Sequence, residues 1–130
     1  VQDVPREETS QYGIVDAKEL EDSIYKINNI VEKPRPEEAP STLGVVGRYI
    51  LTPRIFSHLE GVQAGAGGEI QLTDGIASLL RQEQVLAYKY SGIRYDCGSK
   101  IGYLKATVQF ALKHPEVSGD FRAYLSSLDL

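Results

Sequence analysis

Ile24-Tyr25-Lys26-Ile27-Asn28-Asn29-Ile30-Val31-Glu32-Lys33-Pro34 is the stretch that decides the fold. Ile24 to Ile27 alternates in the manner of a half-buried strand. Asn28-Asn29 is a turn signal, and Ile30 to Lys33 reads as the next strand. An apolar run thus climbs into an acid and a base standing side by side. Pro34 closes it, because proline lacks the N–H for another ladder bond and holds residue 33 extended. Neighbouring side chains on a strand point to opposite faces, so Glu32 and Lys33 are not expected to pair as a surface ion pair does. An acid and a base at a strand end, followed by the stiff exit Pro34-Arg35-Pro36, mark a place to hold a small polar molecule.

Upstream, Tyr12-Gly13-Ile14-Val15-Asp16 is a short strand. Its glycine marks a bulge or a close approach by another group. Lys18 to Asp22 is charged and turn-like, so the whole reads as a local antiparallel meander. Downstream, Pro34 to Pro40 is a stiff exposed loop. Leu43 to Leu51 is the longest strand candidate, apolar on both faces apart from Arg48, as in a central strand of an α/β sheet. Thr52 is a plausible N-cap and Pro53 the first residue of a short helix with Ile55, Phe56 and Leu59 on its apolar face.

Gly61 to Gly68 is glycine-rich. It lacks the lysine ending of a phosphate loop and no strand precedes it, so it reads as a flexible connection. A helix over 69–82 carries Leu72, Ile76, Leu79 and Leu80 as one stripe. Val85 to Tyr90 and Ile93 to Asp96 read as strands. A helix over Lys100 to Lys113 is expected to bury Ile101, Leu104, Val108, Ala111 and Leu112. A last helix, Gly119 to Leu128, is expected to bury Phe121, Tyr124, Leu125 and Leu128. The fold class is α/β.

The chain has 130 residues, 42% of them hydrophobic and 25% charged, which is ordinary for a globular domain. Fourteen basic residues face 18 acidic ones, for a net charge of −4. No Lys/Arg cluster of nucleic-acid type stands out. No apolar run approaches membrane-spanning length and no signal peptide opens the chain. The single cysteine, Cys97, excludes an internal disulfide and fits a reducing cytoplasm. Met is absent, including at position 1, and the expectation is a fragment that starts inside a domain.

Three charged residues at strand ends can carry chemistry: Glu32, Lys33 and Asp96. Asp96 sits in the strand-to-helix corner Tyr95-Asp96-Cys97-Gly98-Ser99, where it either caps the turn or ligates a metal. Lys33 is a solvated lysine or an anion ligand. Glu32 is the partner of a nearby base or a ligand for hydroxyls. His58 and His114 have no second His or Cys at metal spacing and read as capping or surface residues.

Tyr12-Gly13-Ile14-Val15-Asp16, Val31-Glu32-Lys33-Pro34, Ala39-Pro40-Ser41, Val46-Gly47-Arg48-Tyr49 and Gly65-Ala66-Gly67-Gly68-Glu69-Ile70-Gln71-Leu72-Thr73-Asp74 occur in this order. Asp96-Cys97-Gly98 follows, with Lys100, Gly102 and Tyr103. Together they closely resemble the bacterial UTP–glucose-1-phosphate uridylyltransferase family (UDP-glucose pyrophosphorylases), within the sugar nucleotidyltransferases. The resemblance runs from about Val4 to Leu128. The family's amino-terminal Gly-x-Gly-Thr-Arg nucleotide loop has no counterpart here.

The resemblance implies the sugar-binding half of a Rossmann-like nucleotidyltransferase mixed sheet with flanking and carboxyl-terminal helices. Residues 1–130 would be the sugar-phosphate-binding part, with 99–130 its helical region and the nucleotide-binding half absent. It implies Lys33 as the catalytic phosphate ligand and Glu32 as acceptor for sugar hydroxyls. Gly13 and Val45 would line the sugar, Glu69 would stand near it, and Asp96 would ligate Mg²⁺. The partners implied are glucose 1-phosphate and UTP or UDP-glucose, in a cytoplasmic enzyme that is a homo-oligomer at full length, with no nucleic acid or membrane. The chain alone is expected to be inactive. The alternative is a non-catalytic sugar-nucleotide-binding or oligomerisation module.

Overall fold

The structure is a computed structural model that describes residues 1–65 and 68–129. Ala66 and Gly67, in the middle of the glycine-rich connection, lie outside the described residues, as does Leu130. The chain forms two compact units, Val1–Tyr90 and Ser91 onward.

The first unit is a five-stranded sheet carrying two helices. Its strands are β1 (Gln2–Asp3), β2 (Gly13–Glu21), β3 (Ile24–Glu32), β4 (Leu43–Gly44) and β5 (Leu86–Tyr88), in the spatial order β1-β4-β2-β3-β5. A 3-10 helix, Arg6–Gln11, precedes β2. Every described pairing is antiparallel. The helices are α1 (Arg54–Glu60) and α2 (Leu72–Leu79).

Two nine-residue strands stand where the sequence pointed to a three-strand meander. Asn28-Asn29 is not a turn, and Lys18 to Glu21 continues β2; the reversal is at Asp22-Ser23, with Ser23 at φ +67°. The register explains the asparagines. Asp16 faces Asn29 and Ala17 faces Ile27, so Asn28 is an extra residue, a β-bulge. Ile27 and Ile30 are three apart, an odd spacing that regular alternation would send to opposite faces. The bulge restores the phase, and both isoleucines enter one core, at 7% and 6% exposure.

That core joins Val15, Ile27, Ile30, Leu43 and Ala87 of the sheet to Ile55 of α1 and Ile76 and Leu79 of α2. Leu72 and Leu80 pack against it, so the α2 stripe is as the sequence predicts. Phe56 of α1 is instead exposed. Leu43 to Leu51 contributes only the two residues of β4 to the sheet. Gly47 takes φ +74°, and Tyr49 and Ile50 turn outward. Thr52 does not cap α1; its hydroxyl donates to Glu83 Oε1 at 2.6 Å. Pro34 and Ala39 are buried, so the proline loop is anchored at both ends. Ser41 fixes the return of the chain: its hydroxyl donates to Val15 O (2.6 Å) and accepts from Leu43 N (2.9 Å).

The second unit holds α3 (Lys100–Lys113) and α4 (Ser118–Ser126). Ser99 caps α3 by accepting from Gly102 N at 3.1 Å. Tyr95 packs edge-on against Phe110 with ring centres 6.2 Å apart. Ile93 to Asp96 forms no strand. Ala106 is the hydrophobic residue buried here, while Ile101, Leu104, Tyr124 and Leu128 are exposed. Of the faces expected to be buried, Val108, Ala111, Leu112, Phe121 and Leu125 are half-buried, and Ala106 lies on the opposite side of α3 from the expected stripe. No helix among the described residues is long and apolar enough to cross a membrane.

Candidate functional site

β2 begins at Gly13, β3 ends at Glu32, and the register sets the two residues opposite each other. The first turn of α2 brings Thr73 over this pair, itself only 6% exposed. Its hydroxyl donates to Glu32 Oε2 at 2.9 Å. Gly13 is required by this close approach. A Cβ there would lie 2.8 Å from Thr73 Cγ2, 3.1 Å from Glu32 Oε2 and 3.6 Å from Val45 Cγ2. Val45 is held in place by its N–H, which donates to Gly13 O at 2.8 Å. Gly13, Glu32, Val45 and Thr73 therefore form one cluster at the end of the central strand pair.

Lys33 joins it by leaving the strand. Its N–H still donates to Tyr12 O at 2.9 Å, so the ladder holds up to that nitrogen. Its φ is +47°, in the left-handed region that a non-glycine residue rarely enters. This departs from the extended backbone that the following proline favours. The turn cancels the alternation that would send Lys33 away from Glu32, and its Nζ lies 3.8 Å from Glu32 Oε1. The pair that strand geometry disfavours thus forms, but loosely. The Lys33 side chain is 52% exposed and that of Glu32 16%. A long, half-solvated contact of this kind contributes less than about 1 kcal/mol, so the ammonium remains available to a stronger anion.

Tyr49, named in the sequence only within a family motif and given no role there, shares this neighbourhood. Its phenol is held above the usual tyrosine range, first by partial burial and then by the Glu32 carboxylate. Thr73, also named only within a motif, was given no role although a signal existed. It lies three residues before Ile76, on the buried face of the helix, where a hydroxyl must find a partner.

Glu69 is exposed on the connection before α2, and its backbone carbonyl accepts from Gly65 N at 2.9 Å. Asp96 lies in the second unit. Its Oδ1 accepts from Gly98 N at 3.0 Å, the local turn that an aspartate at such a corner can make, and the residue is exposed. Among the described residues no three His, Cys, Asp or Glu side chains converge to hold a metal. His58 Nδ1 lies 2.8 Å from Ser78 Oγ, linking α1 to α2. His114 Nδ1 accepts from Glu116 N just beyond α3.

The cluster offers an acceptor carboxylate and a loosely held ammonium side by side, with the space at Gly13 taken up by Thr73, Glu32 and Val45. The chain is 48% identical over all 130 residues to a UTP–glucose-1-phosphate uridylyltransferase of Staphylococcus epidermidis, covering 45% of that protein. It is 47% identical over 129 residues to one of Streptococcus pneumoniae, covering 43% of it. The chain thus spans less than half the length of these relatives. Among solved structures, it matches a UDP-glucose pyrophosphorylase complexed with UDP-glucose with TM-score 0.83 and 43% identity, over 87% of this chain and 43% of that one. It matches a UTP-bound enzyme of the same name from Acinetobacter baumannii with TM-score 0.83 and 42% identity, over 98% of this chain and 44% of that one. These matches bear out both the α/β class and the resemblance seen in the sequence motifs. The nucleotidyl transferase family pattern matches residues 1–112, and the chain belongs to that family.

Proposed function

We propose that residues 1–130 are the sugar-phosphate-binding part of a UTP–glucose-1-phosphate uridylyltransferase, with 99–130 as its helical region. The observation that carries this is the Gly13–Glu32–Lys33–Val45–Thr73 cluster. In the reaction, a phosphate oxygen of glucose 1-phosphate attacks the α-phosphorus of UTP. A new O–P bond forms, the bond to the β-phosphate oxygen breaks, and pyrophosphate leaves. The nucleophile is already an anion, so no general base is needed. The obstacle is repulsion between two polyanions, and alignment with charge neutralisation lowers it.

Lys33 supplies a compact cation for the sugar phosphate. Glu32 accepts from sugar hydroxyls, and Gly13 and Val45 form the wall on which the ring rests. Glu69 stands at the rim. Asp96, whose Oδ1 accepts from Gly98 N, would give its carboxylate to a cation. That fits Mg²⁺, which takes one or two carboxylates and completes its shell with phosphate oxygens and water. The bound ion would neutralise phosphate charge. The nucleotide-binding side comes from outside these 130 residues, so this chain alone binds without turning over. We place the parent enzyme in the cytoplasm.

Calorimetry on the chain with glucose 1-phosphate and Mg²⁺ tests this. Binding that disappears in Lys33→Ala supports it, and absence of binding by the unaltered chain overturns it. The exposed Ile101, Leu104 and Tyr124 on α3 and α4 favour a second reading, an assembly surface that makes the parent protein a homo-oligomer. Concentration-dependent self-association without sugar-phosphate binding would select that reading alone.

A further inference from the structure

We propose that Thr73 is a positioning residue that acts through Glu32, fixing the carboxylate so that Oε1 faces the Lys33 side of the cluster and the ligand. This rests on the sugar-phosphate reading of the site for its ligand, but not for its geometry. Glu32 is the last residue of β3, and beyond it the backbone swings into the left-handed turn at Lys33. A glutamate at a strand end has three side-chain torsions to settle. Gly13, directly opposite, has no side chain to hold it. The restraint comes from another element: the Thr73 hydroxyl, carried on α2, donates to Oε2 at 2.9 Å.

Thr73 is itself held from both sides. It is 6% exposed, and its methyl fills the space that a Cβ on Gly13 would take. A threonine in a helix has two χ1 rotamers open to it, and the methyl packed over Gly13 selects the one that aims the hydroxyl at Glu32. The hydroxyl is therefore a fixed donor. With Oε2 so engaged, Oε1 is the oxygen left toward Lys33 Nζ and toward a hydroxyl of the ligand. The helix would thus set which carboxylate oxygen meets the sugar, without Thr73 touching it.

The test compares Thr73→Val, which removes the hydroxyl and keeps the branch, with Thr73→Ser, which keeps the hydroxyl. Three-bond couplings of the Glu32 side chain, read by NMR on the free chain, report its rotamers without any ligand. One dominant rotamer in the unaltered chain and in Thr73→Ser, averaging in Thr73→Val, is the expected result. An unchanged Glu32 rotamer in Thr73→Val overturns the proposal. Calorimetry with glucose 1-phosphate adds a second arm. Thr73→Val should weaken binding about tenfold, the scale of one hydrogen bond to a charged group, and should add nothing in a Glu32→Ala background. Equal losses in both backgrounds overturn action through Glu32. If the unaltered chain binds no sugar phosphate, the functional reading fails while the rotamer result still decides the role of Thr73.

Discussion

Under the proposed function, Lys33 carries the largest single consequence in the site. In an enzyme that holds this chain beside a nucleotide-binding part, Lys33→Ala should lower kcat/KM by about 3 kcal/mol, the worth of a charge-assisted phosphate contact in a shielded site. Steady-state kinetics check this, and a near-normal value would remove Lys33 from the phosphate. Tyr49 gives a second handle. Its raised pKa means that the folded chain favours the neutral phenol. The resulting stability is complete below the unfolded tyrosine pKa of about 10 and is lost as pH rises through the folded value. In Glu32→Gln, one cause of the shift is gone, so the Tyr49 titration, followed by NMR of labelled tyrosine, should move down toward the ordinary range. A titration that stays put would separate Tyr49 from Glu32. Gly13, Glu32 and Lys33 were legible in the sequence because small and charged residues at strand ends break a simple pattern. The contact of Thr73 with Glu32 was not, because the two are 41 residues apart and only the packing of α2 brings them together.

At the level of elements, the corner before α3 is built with little slack. A Cβ on Gly102 would lie 1.9 Å from Asp96 O and 2.7 Å from Ser99 Oγ. Ser99 Oγ both accepts from Gly102 N and donates to Asp96 O at 3.1 Å. Ser99→Ala should therefore cost α3 about 1 kcal/mol as a lost N-cap. Gly102→Ala should cost more, since backbone must move. Circular dichroism melts of the two variants check the order, and equal or reversed losses would contradict it. The extent of α3 was legible because a helical period runs from Lys100 to Lys113 and Pro115 follows it. The long β2–β3 pair was not, because a bulge and a turn share the same asparagine-rich signature. What separates them is whether the flanking isoleucines must face one core, and that is a property of the packed sheet.

Across the whole molecule, buried apolar area is distributed unevenly. The first unit closes its core around Val15 and Leu79, each fully buried, whereas the second buries Ala106 and leaves Phe110 and Tyr124 exposed. Local opening free energies follow such differences. Amide hydrogen exchange should be slowest at Val15 and Ile30 and faster by orders of magnitude in α3 and α4. Protection of α3 amides equal to that of Val15 would contradict this. The α/β class was legible from the alternation of periods along the chain. The exposure of α3 was not, since periodicity shows which face is apolar and says nothing of what covers it.

The left-handed turn at Lys33 has a consequence for which substitutions this position tolerates. On conformational grounds alone glycine is the residue best suited to a positive φ, and Lys33→Gly would relax the backbone while deleting the amine. Arginine would keep the charge but replace a compact ammonium with a broad fork, on the same disfavoured torsion. Under the proposed phosphate role, stability and chemistry therefore rank the replacements at position 33 in opposite orders, and lysine is the compromise between them.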